Sequence, residues 1–446
     1  MRQAASAMLL LAGVLLVPRE HAMPFPTKTA DFLYTSAKRY EPLAWMKGGE
    51  RFPAGATVLI RDAGGRRPLA PQFAASADPA VSFDGKSVLF AGKRAAEDRW
   101  QIWESDLAGG DPRPITHCAD DCVRPLFLPE GRIVYAERLN GRFVIQTVDT
   151  ASGKQLPLTY GPANSMPSDL LRDGRILFET AHGDTDVPEL YTVYSDGSGV
   201  ESYRCDHGAA KRSGKQVGSG DIVFATRSGL ARFTSALAKQ VAVAAPSGDY
   251  AGEVVETGSG DWLLPWRPRS SGEFQLMWWT PGQTALRPAV HESAANLVEP
   301  VLISERPAPK RHPSALHDWQ FANLLCLNAY TSKYKFPAES IHSVRLYKDV
   351  SGKAQLMGTA PVESDGSFYV QVPGDVPLQI ELLDGSGKTL KREGGWFWMR
   401  KGEQRVCVGC HAGPETAPEN EVPKVLLKST TPADLTHGGN PTGGHE

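Results

Sequence analysis

The 446-residue chain predicts an all-β fold: a six-bladed β-propeller, with seven blades the neighbouring count, then a small β-sandwich and a cysteine-bearing C-terminal segment. Three observations predict it. A Gly-containing turn followed by a short hydrophobic strand recurs at Gly85, Gly131, Gly174, Gly220 and Gly260. The spacings are 46, 43, 46 and 40 residues, the length of a four-stranded propeller blade. Period-two alternation over 341–398, broken by polar turns, then reads as two sheets that each bury one face. The 44 Gly and 34 Pro, without long apolar helical patterns, favour a turn-rich β protein.

The order along the chain follows. Residues 1–22 read as a secretory signal: Arg2 supplies positive charge, Met8 to Val17 an apolar core, and Ala22 a small residue for cleavage. That run is shorter than the roughly 20 residues a membrane span needs, and no other stretch could span. The expectation is therefore an exported or periplasmic protein with no stable membrane span. Residues 23–55 read as a lead-in anchored by Tyr34, Tyr40 and Trp45. The propeller is placed at 56–304. Its units are SVLF after Gly85, RIVY after Gly131, RILF after Gly174, DIVF after Gly220 and DWLL after Gly260. Each is followed by a second alternating strand, such as Trp100 to Trp103 or Phe143 to Val148; the third strand of the Gly220 unit is weak. The strand Ala56 to Ile60 lacks an inner partner, and Leu297 to Ser304 lacks outer ones. Pairing the two closes a ring and removes both edges. Residues 305–320, rich in Pro and charge, read as a linker. Residues 321–400 form the sandwich, opening on the apolar strand 321–330. Residues 401–425 carry the cysteine motif, and 426–446 read as a disordered tail.

Hydrophobic residues make up 41% and charged residues 22% of the chain, ordinary for a globular protein. A net charge of -2 and the lack of a basic block give no reason to expect nucleic acid. No G-x-S-x-G, P-loop or H-E-x-x-H is present. The Asp-Gly turns lack the terminal Glu of a calcium loop and read as β-turns. Asp120 and Asp121, between Cys118 and Cys122, read as a constrained surface loop. Nothing in the sequence sets the oligomeric state.

The chemistry is concentrated in Cys407-Val408-Gly409-Cys410-His411. C-x-x-C-H is the spacing that attaches a c-type haem: two thiols three positions apart add to the porphyrin vinyl groups, and the adjoining imidazole reaches the iron. Zinc would want two further ligands at comparable spacing, and none follows. One covalent haem c is expected, with Cys407 and Cys410 binding it and His411 as proximal iron ligand. His207, in a Gly-flanked loop beside Cys205, is a candidate distal ligand; His312, His317, His342 and Met399 are the others. Trp396, Phe397 and Trp398 lead into the motif, either walling the haem from water or filling the sandwich core. Of the four remaining cysteines, Cys118 and Cys122 are the local candidate pair, which would leave Cys205 and Cys326 to pair across the fold; the sequence does not choose among the three connectivities, and free buried thiols are the alternative.

The stretches DPAVSFDG at 78–85 and PVESDGSF at 361–368, with CVGCH, resemble the hydrazine synthase α-subunit family. Members join a TolB-like propeller to a middle β-sandwich that ends in a c-type haem motif. The resemblance covers roughly residues 50–425, and Cys407, Cys410 and His411 match the haem motif residue by residue. It does not imply hydrazine synthesis: the synthase subunit binds more than one haem and works with other subunits, whereas this chain has one C-x-x-C-H. A tyrosine just beyond one synthase motif ligates iron. Here Ala412, Gly413, Pro414 and Glu415 follow His411.

Three functional expectations follow. The first is electron transfer with a redox partner protein, which suits an iron with two strong axial ligands. The second is an enzyme whose open iron position acts on a small molecule. The third is a partner-binding propeller with a structural haem. The sequence does not decide whether the protein is an enzyme.

Overall fold

A computed structural model of the chain describes residues 30–183, 185–410 and 420–437. The expected signal segment and His411 lie outside these residues. Between Phe32 and Leu302 six sheets of four or five strands follow one another, as in the expected propeller. The predicted Gly turns each precede a central strand: Ser87–Lys93, Arg132–Leu139, Ile176–Ala181, Ile222–Thr226 and Trp262–Arg267. At Gly85 the turn needs φ of 72°, a left-handed conformation open to Gly at little cost, and the same holds at Gly174 with φ of 85°.

The first sheet is sewn from both ends of the propeller, in the order Asn296–Leu302, Phe32–Ala37, Thr57–Asp62, Gly65–Pro68. The sequence reading joined the closing strand to Ala56–Ile60 directly. Instead, Phe32–Ala37 lies between them, with Thr35 opposite both Val58 and Val298. The lead-in is thus part of the propeller from Phe32 onward. Its strand, FLYTSA, is almost wholly buried, because the closing strand covers one edge and neighbouring sheets both faces. The weak strand of the fourth unit is also formed, as Gly229–Phe233.

The sandwich consists of two four-stranded sheets. One orders Gln404–Cys407, Phe321–Cys326, Phe368–Pro373 and Ala433–Asp434; the other Lys353–Pro361, Ser343–Val350, Leu378–Leu383 and Thr389–Arg392. Their inner faces bury Leu324, Val344, Leu346, Phe368, Val370 and Leu382. The cysteine segment is therefore an edge strand of the sandwich rather than a separate piece. Part of the expected tail is ordered too: Lys424–Lys428 is a short helix, Ala433–Asp434 pairs in parallel with Val370–Gln371, and Leu435 is fully buried in the core.

The linker is strapped to the propeller. Arg306 donates to Val81 O at 2.7 Å and lies over the Phe83 ring. Arg311 pairs with Glu130 at 2.8 Å, and the His312 ring sits 4.1 Å from that of Tyr194. The turn at Gly174 accepts this close approach because it has no side chain: a Cβ there would stand 2.5 Å from Lys310 O.

Candidate functional site

The propeller and sandwich meet along the fourth sheet, and this seam carries the cysteine motif. Trp398 leaves the sandwich, packs into the propeller cluster with Leu158 and Phe178, and donates Nε1–H to Leu158 O at 3.1 Å. Arg400 pairs with Asp375 at 2.5 Å, donates to Asp196 O at 3.1 Å, and meets the Tyr160 hydroxyl. Met399 is fully buried in the sandwich core. Of the aromatic run, Trp398 is thus core, but core of the neighbouring unit. Trp396 lines a cleft at the seam with Thr180, His182 and Tyr191.

Cys407 ends the strand Gln404–Cys407 and Cys410 follows in the bend; both are half-buried, unpaired, and packed against the sandwich core. Burial pushes both thiols up, Cys410 to about 12, with Cys407 and Glu393 adding to that shift. Gly409 seats the turn: a Cβ there would lie 2.0 Å from Thr331 O and 2.7 Å from Asn328 O. Leu327 N–H donates to Cys407 O at 2.9 Å. The motif is thus clamped onto the 326–331 segment, with its two sulfurs beside apolar surface and not joined to each other. Residues of this kind fit thioether attachment of a porphyrin.

Across the seam the fourth sheet and its loops present imidazoles and carboxylates. The His182 and His207 rings stack at 3.7 Å with 12° between planes. His182 Nδ1 meets the Tyr191 hydroxyl at 2.9 Å, and its Nε2 lies 3.3 Å from Glu393. His207 Nδ1 bonds Glu189 at 2.5 Å, while its Nε2 is 3.5 Å from Cys205 Sγ. Burial works against a charge on His207, but the bonds to Cys205 and Glu189 outweigh it and push the imidazole up to about 9. The candidate distal ligand is therefore held by both ring nitrogens inside the propeller. His317 and His342 are exposed, His317 stacked on Trp319 at 4.2 Å.

Cys118 and Cys122 form the expected local disulfide, with Cα atoms 6.4 Å apart. Cys205 and Cys326 are not joined: Cys205 sits in the propeller loop near Lys333, and Cys326 is buried in the sandwich. Asp121 is buried rather than on the surface, accepting from Trp100 N–H at 3.0 Å and pairing with Arg138 at 2.6 Å.

A second charged group, not found from sequence, lies on the propeller axis. On the inner side of five of the six propeller sheets the backbone turns to positive φ, between 51° and 59°, at Asp78, Arg124, Ser213, Glu253 and Glu299. Arg51, reaching in from the lead-in, pairs with Asp78 and with Glu299, the latter at 2.5 Å. Arg124 pairs with Glu253, and its backbone N–H donates to Asp78 at 3.1 Å. Burial pushes Asp78 up, whereas Arg51 and Arg124 hold Glu299 low against the same burial. A faint signal existed: Asp78-Pro79, Arg124-Pro125 and Glu299-Pro300 repeat a charged residue before Pro at matching blade positions.

Comparison with known proteins agrees with this architecture. The hydrazine synthase alpha subunit middle domain family matches residues 333–412. The solved structure of Kuenenia stuttgartiensis hydrazine synthase superposes with a TM-score of 0.78 at 17% identity, covering 90% of this chain and 72% of that one. The chain is hydrazine synthase α-like. The curated hydrazine synthase subunit alpha of Kuenenia stuttgartiensis is 36% identical over 58 residues, which span 13% of this α-like chain and 7% of that protein. TolB from Acinetobacter baumannii matches at a TM-score of 0.31 and 14% identity, covering 84% of this chain and 65% of that one. For the α-like chain the family match and the hydrazine synthase superposition establish the middle-domain sandwich and the overall fold. Among the described residues no helix is long and apolar enough to cross a membrane.

Proposed function

We propose that this chain is an exported redox protein carrying one haem c, bound by thioethers to Cys407 and Cys410 with His411 as proximal ligand, and that it exchanges electrons with a partner protein. When bound, the haem supplies a one-electron couple. The supporting observation is the pair of half-buried cysteines three residues apart, not joined to each other, packed on the sandwich core and seated by Gly409. The chain's own part would be to orient and shield. The sandwich edge fixes the spacing of the sulfurs, and Trp398 and Arg400 lock that edge to the propeller. An apolar surround of this kind excludes water and raises a redox potential. That hydrazine synthase is a multi-subunit enzyme supports a partner subunit here as well.

One observation favours the enzyme reading beside it. Stacked His182 and His207, flanked by Glu393 and Glu189, could hold or pass protons near the site, and Glu393 lies close enough to bear on Cys410. An absorbance spectrum of protein matured in a host that attaches haem separates the two. A low-spin spectrum unchanged by cyanide supports the carrier, and a high-spin ferric spectrum that shifts with cyanide or nitric oxide supports the enzyme. Protein that keeps the bare polypeptide mass and has no Soret band ends both.

A further inference from the structure

The sandwich holds a third free thiol that haem attachment leaves unused. Cys326 ends the strand Phe321–Cys326 and is fully buried; Cys407 ends Gln404–Cys407 and is half-buried. The two strands run parallel, with Cys326 directly opposite Cys407. Laterally aligned residues of a sheet point to one face, and both cysteines belong to the sandwich core, Cys326 within it and Cys407 packed against it. Neighbouring strands lie about 4.8 Å apart, inside the roughly 4.4–6.8 Å Cα separation that a disulfide takes. The bond from Leu327 N to Cys407 O, 2.9 Å, and the seating of Gly409 on the 328–331 segment hold this register.

We propose that Cys326 and Cys407 form a disulfide in the haem-free chain, so that haem attachment requires this bond to be reduced first. The consequence for attachment rests on the haem reading above; the bond itself does not. Access is asymmetric in the right way. A protein disulfide of the exporting compartment needs to reach Cys407 alone. The Cys407 thiolate attacks one sulfur of that disulfide and releases the other as a thiol. The Cys326 thiolate, alongside in the sheet, then attacks the Cys407 sulfur of the mixed disulfide and releases the second carrier thiol. Two S–H bonds of this chain are lost, one S–S bond forms, and the carrier disulfide gains two electrons and two protons. Reduction runs the same exchange backwards and returns Cys407 beside Cys410. Cys410, outside the paired register, stays a thiol throughout.

The full chain, exported from a host lacking haem-attachment machinery, would be alkylated under denaturing conditions, digested without reductant and mapped by mass spectrometry. The expected result is a cross-linked peptide pair joining Cys326 and Cys407, with Cys410 alkylated and Cys118–Cys122 linked as the internal reference. Cys410→Ser should keep the cross-link and Cys407→Ser should abolish it, both at exposed enough positions to fold. A Cys407–Cys410 link, a Cys326–Cys410 link, or alkylation of both Cys326 and Cys407 overturns the proposal. In a haem-attaching host, Cys326→Ala should make haem incorporation independent of added thiol reductant. If the cross-link forms but no variant ever takes up haem, the haem reading fails and the disulfide stands.

Discussion

Removing the guanidinium of Arg51 tests whether the axial charges hold the propeller ring closed. Arg51 is 6% exposed and bridges Asp78, on the second sheet, to Glu299, on the strand that completes the first. In Arg51→Met two buried carboxylates lose their shared cation. Thr35 Oγ1 at 2.6 Å and Asp78 N–H at 2.9 Å would still donate to Glu299, so some stabilisation remains. Breaking a buried pair by deleting one partner costs about 3–5 kcal/mol. At about 2–4 °C of Tm per kcal/mol for a unit of this size, the expected loss is roughly 6–20 °C. The pH dependence carries a sign. Without Arg51, burial lifts Asp78 further above its unfolded value, opposed by Arg124. Stability from such a group is complete below the unfolded pKa and is lost as pH rises through the folded value. The folded variant therefore keeps its proton to higher pH than wild type does, and its deficit should shrink as pH falls from about 8 to about 5. Differential scanning calorimetry of wild type and variant at both pH values reads this directly. A Tm within about 2 °C of wild type at pH 7, less than 1 kcal/mol, or a deficit that does not shrink with acid, would refute the argument.

Other outcomes follow from the seam and the motif. Trp398→Ala removes the indole that the propeller buries and should cost about 3–5 kcal/mol; calorimetry should then show the sandwich melting apart from the propeller, and a single unshifted transition would contradict the interlock. Gly409→Ala places a Cβ against Thr331 O, so the fraction of chain carrying covalent haem in a competent host should fall sharply. Gly258→Ala, where a Cβ meets nothing within 4 Å, should leave that fraction unchanged. His207, raised to about 9 by Cys205 and Glu189 against its burial, contributes stability that is complete below its unfolded value of about 6.5 and lost as pH climbs through the folded one. His207→Gln should flatten the fall in stability that wild type shows on the alkaline side of neutrality, and coincident curves would remove the ion pair from the account.

Much of the fold was legible because each blade announces itself locally. An Asp-Gly or Ser-Gly turn needs its glycine, and the strand after it must be apolar to fill the space between sheets. Phe32–Ala37 escaped because no such turn precedes it, and its partners, Thr57–Asp62 and Asn296–Leu302, include one at the far end of the propeller. The axial group escaped because Asp78, Glu253 and Glu299 adopt positive φ without being glycine; only the assembled ring explains them. Cys407 and Cys410 were plain from spacing. What surrounds them was not: the stacked imidazoles and Trp398 come together through contacts more than 200 residues apart, such as Trp398 to Leu158. The pairing of Cys205 with Cys326 failed for the same reason, since one lies in a propeller loop and the other inside the sandwich.

The doubly sewn first sheet also sets an order of events during synthesis. Phe32–Ala37 has no lasting neighbour on one side until Asn296–Leu302 has been made, so an early fragment presents a bare strand edge that other chains could pair with. Once Leu302 arrives the circle locks, and the strap from Arg306 to His312 can zip over turns already in place. The motif thiols appear about a hundred residues later, when Cys118 and Cys122 have had time to find each other across four positions. A truncation ending before 296 should therefore aggregate, and one ending just past the strap should stay dispersed without the cysteine-bearing segment.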